Sequence, residues 1–166
     1  LTAPAGEAGA AATSVAEASS AVAEPVPLVG EEPFLVVAPS SVVSVWAAEA
    51  AKFAPGLDVR VVDQTSRKRR TPLEDEVTGA DVVLTSYTLL RIDAKEYHAR
   101  TWAGLVLDEA QFIKNRTAKV HQVARDVRAP FRLAITGTPM ENSLTDLWAL
   151  LEVVVPGLFP SHRRFR

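Results

Sequence analysis

The sequence predicts an α/β fold, a mostly parallel sheet with helices on both faces. From Phe34 onward, short continuous apolar runs alternate with stretches of helical periodicity. Strands covered on both faces read as such unbroken runs, and the alternation itself implies parallel strands joined by crossover helices. Two of the runs end in polar clusters, Asp108-Glu109-Ala110-Gln111 and Thr136-Gly137-Thr138-Pro139. Polar tips of parallel strands lie on one sheet edge, where α/β folds bind ligands. The 166 residues, 48% hydrophobic and 23% charged, suit one domain with a core of its own.

Residues 1–32 come first and are expected to differ from the rest. They are rich in Ala, Ser, Glu, Pro and Gly and carry almost no large apolar side chains. Such a segment buries too little surface to offset its ordering entropy, so it reads as a low-complexity linker or insertion. Only Ala11–Ala23 has the propensity for transient helix.

Residues 33–166 form the expected domain. Phe34–Ala38 lies between two prolines and reads as a buried strand. Pro39-Ser40-Ser41 follows, with a serine suited to cap a helix. That helix runs from Val42 to Phe53, with Val42, Val45, Trp46, Glu49, Lys52 and Phe53 at amphipathic spacing, and Pro55-Gly56 ends it. Leu57–Val62 alternates as a second strand, and Ser66–Val77 is a charged stretch with helical character. Asp81–Thr85 is a third strand, and a helix starts at Ser86. Gly104–Leu107 and Arg132–Thr136 are the fourth and fifth strands. Between them Thr117–Val127 is a helix with Val120, Val123, Ala124 and Val127 on one stripe. A last helix, Asn142–Val155, is expected to turn Leu144, Leu147, Trp148 and Leu151 inward, and Pro156-Gly157 closes it.

Composition narrows the function. No apolar run reaches the roughly 18 residues of a membrane span, and no basic segment precedes an apolar stretch as in a secretory signal. No membrane partner is expected. Cysteine is absent, which excludes disulfides and thiolate metal sites and suits a cytoplasmic location. A net charge of −2 argues against wholesale polyanion binding. The basic clusters Arg67–Arg70 and His162–Arg166 read more simply as solvated loops than as nucleic-acid grips. A start at Leu1 and an end at Arg166, just past a helix and turn, are expected of a piece of a longer protein.

Asp108 and Glu109 are the sharpest signal. Carboxylates beside a buried strand must be solvated, paired or bound to metal. One reading is a helix N-terminus, where acids complement the dipole. The other is nucleoside triphosphate chemistry, in which one acid holds Mg²⁺ and the next polarises the attacking water. The Thr-Gly-Thr-Pro strand end, with Met140-Glu141-Asn142 after it, favours the second, because several motifs occur in order.

Together these motifs resemble the first RecA-like lobe of Swi/Snf-type DNA translocases, within the superfamily-two DEAD/DEAH-like helicases. LVVAPSSVVSVWAAEAAKFAP is similar to that family's motif Ia, DVVLTSYTLLRID to motif Ib, LVLDEAQFIKN to motif II (the Walker B box, here DEAQ), and RLAITGTPMENSLTDLWALLEVVVPGLF to motif III and its helix. The resemblance covers about four-fifths of the chain. It implies an ATP-dependent motor on double-stranded DNA, with ATP and Mg²⁺ as cofactors and a location at the nucleoid or in the nucleus. By the resemblance, Asp108 ligates Mg²⁺ through water, Glu109 is the general base, and Gln111 relays the γ-phosphate state toward motif III. Thr136, Gly137 and Thr138 couple that state to closure of a second RecA-like lobe. Pro39, Ser40, Ser41, Thr85, Ser86 and Tyr87 grip the DNA backbone without reading bases. Trp46 and Trp148 are expected in the core.

The departure from the family pattern is as informative. No Gly-x-x-x-x-Gly-Lys-Ser/Thr occurs, and none of the eight glycines precedes a lysine. The phosphate-loop strand is therefore expected to be missing from this lobe, as is the arginine finger of the second lobe, so residues 1–166 alone are expected to be inactive. The alternative is a degraded lobe that serves as a non-enzymatic binding or scaffold module. An RNA helicase lobe fits less well, because Gln111 stands where DEAD-box enzymes usually place Asp.

Overall fold

The computed structural model describes residues 32–139 and 144–158. Most of the expected linker, the Met140-Glu141-Asn142 tail and the His162–Arg166 cluster fall outside the described residues. The elements run β1 (Phe34–Ala38), α1 (Ser40–Phe53), β2 (Val59–Val62), α2 (Ser66–Arg69), α3 (Leu73–Val77), β3 (Val82–Ser86), α4 (Tyr87–Ile92), α5 (Ala94–Ala99) and β4 (Gly104–Leu107). A 3₁₀ turn at Ala110–Ile113 follows, then α6 (Lys119–Asp126), β5 (Phe131–Ala134) and α7 (Leu144–Val154).

The strands form one sheet in the order β2-β3-β1-β4-β5, with every pairing parallel. Its two faces are unequal. Leu35, Val37, Val83, Leu105 and Leu107 point into the main core, with Tyr97, Trp102, Ile113, Val123, Ala124, Leu150 and Val153 from the helices and turns. Val36, Ala38 and Leu84 point the other way, onto Val43 of α1. On that second face β5 lies bare: Phe131, Leu133 and Ile135 are 50%, 42% and 40% exposed. They share the face of Val106, whose register partner is Leu133. β5 is an edge strand of the described sheet, and these three residues build its exposed apolar side, whereas Ala134 packs on the main core.

One backbone approach requires glycine. Gly104 sits between Phe34 and Phe131 in register, and those rings meet edge-to-face above it at 6.1 Å. A Cβ at this position would lie 2.4 Å from Phe34 Cε1 and 2.9 Å from Phe131 Cδ1.

Several boundaries differ from the sequence expectation, each for a local reason. Helix α1 begins at Ser40 after Pro39, and no side chain caps it, so neither serine acts as the cap. Its apolar stripe is only partly used: Val43 is buried, whereas Val45 and Phe53 are 54% and 72% exposed, and α1 packs over β1, β2 and β3 of the five strands. The Ser66–Val77 stretch is two short helices, broken where Arg70 adopts φ 63° and Pro72 follows. In α7 Leu144 is exposed, and the buried set is Trp148, Ala149, Leu150 and Val153. Trp148 is core, as expected.

The Arg67–Arg70 cluster also divides. The Arg69 side chain is 5% exposed and pairs with Glu76 at 2.8 Å and Glu96 at 2.5 Å. Asp93 accepts from Ser66 N and Oγ, both at 2.8 Å, and pins α2 to the start of α5. Arg67, Lys68 and Arg70 remain exposed.

Candidate functional site

The strand tips of β1, β3, β4 and β5 converge on Asp108. Its N–H donates to the Val37 carbonyl at 2.8 Å, so the β1–β4 ladder carries the residue to the sheet edge. Oδ1 accepts from Glu109 N at 2.9 Å, and Oδ2 accepts from Trp46 Nε1 at 2.8 Å. The Asp108 carbonyl accepts from Tyr87 Oη at 2.7 Å. Burial pushes the Tyr87 phenol far up, and the Asp108 and Glu109 carboxylates add to it, so this hydroxyl stays a neutral donor. Tyr87 also stacks on Phe112, with ring centroids 5.4 Å apart.

Glu109 adopts φ 50°, ψ 52°, a left-handed conformation that few non-glycine residues hold. The turn is tied down on both sides, so its surroundings hold the strained backbone in place. Ala110 N donates to Ile135 O at 2.9 Å, and Ile135 N donates to Leu107 O at 2.8 Å. From Glu109 a hydrogen-bonded line runs toward the β5 tip. Gln111 Nε2 donates to Glu109 Oε2 at 2.7 Å, and Thr136 Oγ1 donates to Gln111 Oε1 at 3.1 Å. Thr138 N then donates to Thr136 Oγ1 at 3.2 Å, and Lys114 Nζ donates to the Thr138 carbonyl. The carboxylate at position 109 is thereby connected to the strand end at 136–138 through one glutamine. Gly137 lies in open space at negative or extended φ, so nothing at this position demands glycine sterically.

The six residues expected at the DNA backbone do not form one surface. Ser40 and Ser41 are exposed in the first turn of α1, beside half-buried Pro39. Ser86 is 6% exposed and its Oγ accepts from Leu89 N at 3.2 Å, which makes it the cap of α4. Thr85 is fully buried: its hydroxyl bonds the Val62 carbonyl at 3.2 Å and Tyr97 Oη at 2.8 Å. Tyr87 is 5% exposed and serves Asp108. A surface contact by Thr85 or Tyr87 is therefore corrected to an internal role, because strand alternation turns 85 and the helix turns 87 into the main core. Ser40, Ser44 and Ser86 line an open groove of about 350 Å³ between α1 and β2–β3, with Asp63 on its rim.

Trp46 is the residue whose role sequence reasoning missed. It is half-buried, not core, and bonds a carboxylate 62 positions away. No spacing rule reports such a pair. The oxygen-only donors at this site suit a hard cation such as Mg²⁺, which is commonly held by one or two carboxylates and substrate phosphates. Among the described residues no cluster of three or more His, Cys, Asp or Glu could hold a metal ion by itself.

The family model of the SNF2-related domain matches residues 11–166. The chain belongs to this family. Chromodomain-helicase-DNA-binding protein 1-like of Mus musculus is 40% identical over 132 residues, which is 78% of this chain and 15% of that protein. A putative ATP-dependent helicase/translocase of Bacillus subtilis is 38% identical over 137 residues, 80% of this chain and 15% of its own length. Among solved structures, the Sulfolobus solfataricus SWI2/SNF2 ATPase core in complex with dsDNA superposes with a TM-score of 0.67 at 36% identity, over 81% of this chain and 27% of that one. The match to this SNF2-related chain thus spans 15% of the length of each of these curated relatives. No helix among its described residues is long and apolar enough to cross a membrane.

Proposed function

We propose that this chain is part of an ATP-hydrolysing motor that moves on double-stranded DNA, with Asp108 facing Mg²⁺ and Glu109 acting as general base. The observation that carries the reading is the bonded line Glu109–Gln111–Thr136–Thr138, which starts beside Asp108. A bound Mg²⁺ would neutralise charge on the phosphates of ATP. Asp108 would hold it through water, its carboxylate already oriented by two donors. Glu109 would accept the proton of the attacking water. Gln111, one bond from Glu109, would sense that change, and Thr136 would pass it to the β5 tip where the second lobe closes. Ser40 and Ser41, on the N-terminal turn of the 14-residue helix α1, would contact DNA phosphates through hydroxyls and backbone N–H groups. The similarity to ATP-dependent helicases and to a DNA-bound ATPase core supports this over a purely structural module. Action on DNA implies a nucleoid or nuclear location.

The test uses the full-length protein. Glu109→Gln keeps size and hydrogen bonding but removes the base, so nucleotide binding persists while DNA-stimulated hydrolysis falls about 10²–10⁴-fold. Asp108→Asn instead raises the Mg²⁺ needed for nucleotide binding. Turnover near wild type in Glu109→Gln refutes the assignment of the base.

A further inference from the structure

We infer that Trp46 is a positioning residue for the metal-facing carboxylate: its indole N–H fixes the orientation in which Asp108 receives the divalent cation. The inference rests on the reading of Asp108 given above. It begins from how little freedom Asp108 has left. Its backbone N–H is held by Val37 O and its carbonyl by Tyr87 Oη, so the main chain is fixed on both sides. What remains is rotation of the carboxylate, and two donors stop it, one on each oxygen: Glu109 N on Oδ1 and Trp46 Nε1 on Oδ2. A carboxylate accepts about four hydrogen bonds, so each oxygen keeps capacity for a metal-bound water.

The chemistry of indole suits this task. It donates and cannot accept, so it neither competes for the cation nor draws it off the acid. Its bond to a carboxylate is charge-assisted and correspondingly strong. The ring is held as well: Trp46 packs against the cluster of Val36, Ala38, Val43 and Leu84, and lines an open groove with Val42, Val45, Glu49 and Asp108. Packing alone would be met by phenylalanine. The competing explanation is that the N–H merely satisfies the polar tip of a packed tryptophan, and the two differ in what happens to metal binding.

Trp46→Phe in the full-length protein keeps the ring and removes the donor. In a Glu109→Gln background, which blocks turnover, Mg²⁺ is titrated against binding of a fluorescent ATP analogue. Loss of a partner that orients a metal ligand typically costs 10–100-fold in metal affinity. The expected result is a half-saturating Mg²⁺ concentration raised by roughly that factor, with nucleotide affinity restored at saturating Mg²⁺. Leu84→Ala, a packing loss in the same cluster, lowers the melting temperature and leaves the Mg²⁺ requirement in place; a shift as large as that of Trp46→Phe would overturn the inference. An unchanged Mg²⁺ requirement in a folded Trp46→Phe protein also overturns it. Should Trp46→Phe not fold, 5-fluorotryptophan labelling of the wild type supplies the second reading: the Trp46 resonance moves on Mg²⁺ addition at saturating nucleotide, and a stationary resonance refutes the contact. Asp108→Asn separates the two levels. If it raises the Mg²⁺ requirement and Trp46→Phe does not, only the role of Trp46 falls; if neither does, the metal reading of Asp108 falls with it.

Discussion

Gly104→Ala tests how the strand that delivers Asp108 is held. Gly104 opens β4, and the added Cβ would meet Phe34 Cε1 at 2.4 Å, Phe34 Cδ1 at 2.6 Å and Phe131 Cδ1 at 2.9 Å. Contacts below 3 Å cannot persist, so one ring must leave its place. Phe34 is the constrained partner, in register between Val82 and Gly104, whereas Phe131 lies on the open edge strand. Overpacking of this kind costs about 1–3 kcal/mol. Against it, alanine removes backbone freedom from the unfolded chain, which returns roughly 0.5–1 kcal/mol. The difference of the two ranges centres on about 1 kcal/mol of net loss. For a chain of this size that lowers the melting temperature by roughly 2–4 °C. Thermal and urea unfolding measure it, and a double-mutant cycle assigns the cause. Phe34→Leu alone loses ring packing, but in the Gly104→Ala background it relieves the clash, so the two changes are non-additive in the stabilising direction. Strict additivity, or a Gly104→Ala chain as stable as the wild type, would refute the steric argument.

Three further outcomes follow from the same structure. Residues 1–166 alone should show no measurable ATP hydrolysis with or without double-stranded DNA. They contain no Gly-Lys-Ser/Thr loop, and an arginine finger by itself is worth about 10³–10⁵ in rate; activity abolished by Glu109→Gln would contradict this. The 166-residue chain should self-associate through the bare face of β5, and Leu133→Lys should shift it toward monomer in sedimentation velocity, whereas a wild-type monomer would dismiss the exposed-edge argument. Glu152 lies below the ordinary glutamate range because Arg116 bonds it at 2.5 and 3.0 Å, which outweighs its partial burial, with His121 and Arg125 adding to the effect. A lowered native value stabilises the fold above the unfolded value of about 4.3 and is lost as pH falls through the native one. Stability should therefore drop below about pH 4.3, less steeply in Glu152→Gln, and equal slopes would reject the contribution.

The sequence by itself determined the parallel sheet and which of its strand tips are polar. Phe34–Ala38, Val82–Leu84 and Gly104–Leu107 are unbroken apolar runs between turn residues, the pattern of short strands buried on both faces. Asp108, Glu109 and Thr136 stand out as candidates in the sequence because charged and hydroxyl groups at the end of such runs must be solvated, paired or bound. Element ends were less legible. Ser40 is a good cap by composition, yet Pro39 occupies the cap position and Ser40 is the first residue of α1. Thr85 and Tyr87 share a polar tripeptide with Ser86, but strand alternation and the start of α4 bury both. What only the tertiary structure decided is which distant groups meet. Trp46 and Asp108 are 62 residues apart, Tyr87 and Asp108 are 21 apart, and Arg69 is matched to Glu96 across 27. Periodicity reports which face of an element is apolar. It says nothing of which side chain on another element will lie within 3 Å, because that depends on strand order and register, and these are set by the packing of the whole sheet.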